Sequence, residues 1–166
     1  MRFLLITLLC LSQILSLGSN QSLDTVRNEF HHAHTEEDYV AILAVESSDL
    51  TIKAYQAAST ACLAQFYFSP FSKYEKFMEG TSTLDEIIGV KATFETRYIR
   101  LLIQLSSPSF LGYNKMIEQD IQFMTKTISS CKLSSTTLDL LLASLESANK
   151  KRYDISALKY NTHGLQ

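Results

Sequence analysis

Tryptophan is missing from this sequence, and proline and glycine are scarce, with two and five in 166 residues. A protein so poor in chain breakers has few tight turns to offer. Its apolar residues recur at spacings of three and four, which excludes a sheet architecture and predicts an all-α fold. Cysteine is sparse as well, with three in all, so the chain is not a small disulfide framework. Cys10 lies in the leading apolar run. The other two, Cys62 and Cys131, fall on apolar helical stripes, where a free thiol packs as a small hydrophobe. A bond between them stays open in an oxidising compartment. A basic surplus is also lacking: the formal charge is −2, and nucleic acid finds no cationic field to bind. No nucleophile elbow, phosphate loop, Cys-x-x-Cys pair or zinc-protease helix occurs. These absences support no enzyme and imply no cofactor.

What is present begins with Met1-Arg2, the apolar run "FLLITLLCL", and then "SQILSLGSNQ". A charged start, a short apolar core and small residues make a secretory signal peptide, and the run is too short for a spanning helix. Cleavage is expected after Gly18, with residues 1–18 removed. The mature chain then starts near Ser19, exported to the periplasm or the medium, without stable membrane insertion. Residues 19–148 are long enough for one helical domain with a sizeable core. The segment 149–166, "NKKRYDISALKYNTHGLQ" from Asn149, has weak periodicity and reads as a poorly ordered tail.

Helix boundaries are marked by local chemistry. A first helix fits Leu23 to His32, and a second follows Thr35, with Asp38 completing a capping box. A third spans Asp49 to Phe68, where Ala54, Ala57, Ala61 and Ala64 form a small-residue face that admits a close neighbour. Ser69-Pro70 starts the fourth, a capping serine before proline at the first helical position. Gly80 interrupts that helix and predicts close contact with the alanine face. The fifth runs from Thr93 to Leu105. A sixth, capped by Asn114, carries Ile117, Ile121, Met124, Ile128 and Cys131, and a seventh from Ser134 or Ser135 carries Leu138, Leu141, Leu142 and Leu145. Short connections predict stacked antiparallel hairpins, tetratricopeptide-like in architecture only, or else an irregular helical bundle.

The run "AQFYFSPFSKYEKFMEGTSTLDEII", Ala64 to Ile88, followed by "ETRYIRLLIQLSSPSFLGY", Glu95 to Tyr113, resembles a family of small exported helical proteins of the Bacteroidota. That family has an aromatic-Asn-Pro helix start, a Lys-aromatic-Phe-x-x-Gly helix, and an Arg-x-x-Arg-x-x-x-Gln helix ending in Pro-x-Phe-Leu-Gly-Tyr. Ser69 stands here where the family has Asn. The resemblance covers about a third of the chain and implies export and a helical fold, with no activity attached.

Two clusters invite a chemical reading. "HHAHTEED", residues 31–38, has the donor types that divalent metals need. A helix start at Thr35 turns His34 away from Asp38, however, and histidines at one helix end with acids at the next satisfy both helix dipoles, so no metal site is assigned. The second cluster is Arg97, Arg100 and Gln104, which share about 60 degrees of arc on the apolar fifth helix. Either the arginines snorkel from a helix edge to acids such as Glu75, Glu79 or Glu95, or they form with Tyr113 a recessed ligand-binding spot for a carboxylate or a peptide terminus. The reading favoured is an exported, non-enzymatic interaction or scaffold protein whose partner is another envelope protein or a peptide. A small metal-dependent or hydrolytic enzyme of the cell envelope is the alternative.

Overall fold

The computed structural model describes residues 22–151 and 153–160, and the expected signal peptide lies outside them. The described residues form helices and no strand. Seven of the helices are α1 (Leu23–His32), α2 (Glu36–Leu43), α3 (Leu50–Leu63), α4 (Pro70–Val90), α5 (Phe94–Ser106), α6 (Ile117–Thr127) and α7 (Ser135–Ala148). A short α8 (Ser156–Tyr160) follows within the expected tail, where Ile155 and Leu158 are buried.

Most starts are set by the residues that the sequence offers as caps. Ser22, Asp49, Ser69 and Ser134 each accept a hydrogen bond from a backbone N–H of the first turn, and Pro70 occupies the first helical position. Such bonds pair amides that a helix cannot satisfy internally. Thr35 with Asp38, and Thr93 with Thr96, close reciprocal capping boxes. The start of α6 departs from expectation. Asn114 does not cap it; the helix begins at Ile117 after Met116, which offers no capping side chain. At the other end, α6 tightens into a 3-10 turn over Ile128–Ser130 and does not run on to Cys131. Likewise α3 stops at Leu63 and passes through a 3-10 turn, Ala64–Phe66, before reaching Phe68.

The odd-numbered helices pack in a row, α1 on α3, α3 on α5 and α5 on α7, while α2 and α4 lie against their sequence neighbours and α6 against α5 and α8. One apolar core runs through this row, from Val26 and Ile42 through Tyr55, Leu84 and Ile99 to Leu141 and Leu145. Such packing is compatible with an irregular helical bundle. No helix among the described residues is long and apolar enough to cross a membrane.

The tightest junction is α3 against α4, where Lys73 reaches the Gln65 carbonyl and Gly80 lies on Ala57 and Ala61, so the two helices run antiparallel. A Cβ on Gly80 would stand 2.5 Å from the Ala57 carbonyl oxygen and 2.8 Å from the Ala61 Cα. Backbone cannot yield as a side-chain tip can. Glycine is required there by space, in a helix where it otherwise costs about 1 kcal/mol relative to alanine. Replacing Gly80 with alanine is therefore expected to destabilise by roughly 1–3 kcal/mol through overpacking, despite the better helix former. Thermal or urea melts check this, and a raised melting temperature would mean that α3 and α4 do not approach so closely.

Candidate functional site

The stripe Arg97, Arg100, Gln104 on α5 faces α6, and all three side chains converge on one carboxylate, that of Asp120. Arg97 Nη1 donates to Oδ1 at 2.8 Å; Arg100 donates from Nε to Oδ2 at 2.8 Å and from Nη2 to Oδ1 at 2.6 Å; Gln104 Nε2 donates to Oδ2 at 2.8 Å. Asp120 is 0% exposed. Four donors saturate its two oxygens, as a buried charge requires. Arg100 extends the set, since its Nη1 donates at 2.9 Å to Asp85 on α4. Tyr113 donates to that same Asp85 oxygen at 3.2 Å, and its ring meets Phe77 edge-on. The four residues expected to share a polar spot thus do meet, through Asp120 and Asp85.

Their partners are not the acids expected. Glu79 pairs with Lys76 and Glu95 with Arg27, and the carboxylate shared by the two arginines comes from the chain itself. Burial works against charge on Arg100, but bonds and charges from Asp120 and Asp85 outweigh it and hold its pKa above the ordinary arginine value. Arg97 is the edge member, with its guanidinium stacked 4.9 Å above the Phe123 ring and its Nε lacking a partner. Gln104 uses both ends of its amide: Oε1 accepts the Met116 N–H at 3.1 Å, at the helix start that lacks a capping side chain.

A second buried ion pair was not anticipated. Arg27 on α1 donates from Nε and Nη2 to both oxygens of Glu95, at 2.6 and 2.9 Å, and also bonds Asp24. Tyr55 donates to Glu95 at 2.8 Å, and burial followed by the Glu95 charge pushes the Tyr55 pKa well up. Beside this pair lies His31. Its Nδ1 is 3.3 Å from the Ser144 hydroxyl and its Nε2 is 3.3 Å from the Tyr98 hydroxyl. Ser144 gives its own hydrogen to the Leu140 carbonyl, so it accepts from Nδ1–H, and Nε2 accepts from Tyr98. His31 is a neutral strut between α1, α5 and α7, its pKa lowered to about 4, first by burial and then by His32 and Arg27. In the rest of the His-rich stretch, Asp38 accepts the His34 and Thr35 amides. Among the described residues no group of three His, Cys, Asp or Glu is placed to hold a metal ion.

A different surface carries an opening. Between the C-terminal ends of α3 and α5, the first turns of α4 and the Pro108 turn lies a groove of about 440 Å³, floored by Ala61, Cys62, Phe77 and Ile103. Two aromatic side chains of its lining are exposed, Phe110 at 86% and Tyr74 at 49%. Gly112, at φ 70, closes the turn that presents Phe110. Cys62 and Cys131 are free thiols, and burial pushes the Cys62 thiol up to about 11, so it lines the groove uncharged. Compared with protein-family models, curated proteins and solved structures, the chain gives no match in any of the three.

Two expectations follow from the buried ions. Lysine cannot reproduce the fork that Arg100 makes to two carboxylates, so Arg100→Lys should cost roughly 2–4 kcal/mol. Arg97→Lys should cost less, and Lys76→Arg, on an exposed pair, less than about 0.5 kcal/mol. Denaturant melts read all three, and equal midpoints would mean that Asp120 does not depend on the fork.

The second expectation concerns acid. Folded His31 stays neutral down to about pH 4, whereas the unfolded chain protonates it near 6.5. The unfolded state then binds the extra proton, so stability falls as pH drops from about 6.5 to 4, by roughly 1–3 kcal/mol from this residue, and no further below. Its share is the part of the pH slope that His31→Gln removes. An unchanged slope would place His31 in solvent.

Proposed function

We propose that the protein is an exported, non-enzymatic helical binding module whose working surface is the groove between α3, α4, α5 and the Pro108 turn. The observation that carries this reading is the pair of exposed aromatic side chains, Phe110 and Tyr74, in the lining of an apolar opening. An aromatic ring in water gains by being covered, most of all where it lines a cavity. The arginine cluster serves instead to align helices, because its donors already hold Asp120 and Asp85. Support for export comes from the leader-like start; protein recovered from the periplasm or medium should begin near Ser19. The row of odd helices supports stacked hairpins, tetratricopeptide-like in layout. An envelope protein or peptide, or a smaller apolar ligand, could use such a groove.

The neutral, environment-sensitive dye Nile red tests the surface without presupposing a charge on the ligand. Phe110→Ser should weaken dye binding several-fold while shifting stability by less than about 0.5 kcal/mol, since the ring is almost fully exposed. Dye binding that ignores both Phe110→Ser and Tyr74→Ser would remove the groove from consideration.

A further inference from the structure

The groove lining is unequal in charge. It contains one cation, Lys73, and neither aspartate nor glutamate. The Lys73 ammonium donates to the Gln65 backbone carbonyl at 3.0 Å, and no carboxylate lies within ion-pair distance of it among the described residues. Among the described residues nothing neutralises its charge, and two of its three N–H groups are left for another acceptor. Elsewhere the polar side chains of the lining are the neutral Gln65 amide, the Tyr74 hydroxyl, two serines and Cys62. The Ser106 and Ser107 hydroxyls give their hydrogens to the Leu102 and Ile103 carbonyls at 2.8 and 2.6 Å, and Cys62 is an uncharged thiol.

From this asymmetry we propose that the groove takes a long-chain fatty acid, its aliphatic chain along Ala61, Phe77 and Ile103 and its carboxylate at Lys73. A bound peptide brings an amide N–H and carbonyl at every residue, and leaving these unpaired against an apolar wall is costly. An aliphatic chain has none. Phe110 and Tyr74 flank the opening and cover such a chain, while the carboxylate meets the unneutralised ammonium at the mouth. The volume, about 440 Å³, is within the range of small-ligand pockets. This inference rests on the groove being a binding surface, and it adds the anionic head and the aliphatic body of the ligand.

The test compares hexadecanoic acid, hexadecanol and an apolar hexapeptide with a free C-terminus, each titrated calorimetrically into the purified protein below micelle-forming concentrations. Hexadecanoate is expected to bind one to one. Lys73→Met should weaken it about tenfold, Lys73→Arg should not, and hexadecanol should bind the parent and Lys73→Met alike, as loss of one charge-assisted contact requires. Equal binding of acid and alcohol to the parent overturns the carboxylate assignment and leaves the groove reading intact. The peptide binding where the acid does not overturns the fatty acid. Nile red bound and displaced by neither lipid has the same meaning. If neither lipid, peptide nor dye binds, both the inference and the groove reading fall.

Discussion

A fully buried carboxylate cannot be left to chance, and the placement of Asp120 constrains more of this molecule than any apolar contact does. Its oxygens receive four hydrogen bonds from three side chains of α5, so the register of α6 against α5 is fixed to a single choice. Through Arg100 the same constraint reaches Asp85 and thus α4. Through Gln104 it reaches the amide of Met116, just ahead of α6. A hydrophobic face tolerates a small slide, because one methyl replaces another. A forked ion pair does not, since a slide strands a charge in a medium that cannot solvate it. The pair need add little net stability to exert this control.

The internal charges and the outer surface invert the usual distribution. Arg27, Glu95, Arg100 and Asp120 are buried, while Phe68, Phe71 and Phe110 stand in solvent. Each inversion has a separate physical basis. Inside, every charge is matched by its opposite and by further donors, with Tyr55 serving Glu95 and Gln104 serving Asp120. Outside, the aromatic rings have no cover from the chain. Ser69-Pro70 starts α4 just after Phe68, and proline with a capped serine holds that corner stiffly enough to leave the ring in water.

Much of the fold was legible because it depends on local chemistry. Caps at Thr35 and Ser69 are read from the residues themselves, and Gly80 against the Ala57–Ala61 face is a matter of size. Partner choice was not legible in the same way. Glu95 reads as an acid for the arginines of its own helix, and that local pairing hid its bond to Arg27, 68 residues away. Asp120 left a fainter trace, as an acid at the edge of the stripe Ile117, Ile121, Met124. The groove is formed by the ends of three helices and a turn, and no spacing within any one of them announces it. Asn114 failed as a cap because the chain makes its turn later, at Met116, where Gln104 supplies the bond from another helix.

The two buried ion pairs differ in how far apart along the chain their members lie, and so in the entropy that closing each one costs. Arg100 meets Asp120 across 20 residues, whereas Arg27 meets Glu95 across 68. Closing the longer loop from an open chain costs about 1 kcal/mol more in entropy on a logarithmic scale. Of the two pairs, Arg100–Asp120 is thus the cheaper to close. A longer connection between α1 and α5 would therefore weigh on the Arg27–Glu95 pair and leave the Arg100–Asp120 closure unchanged.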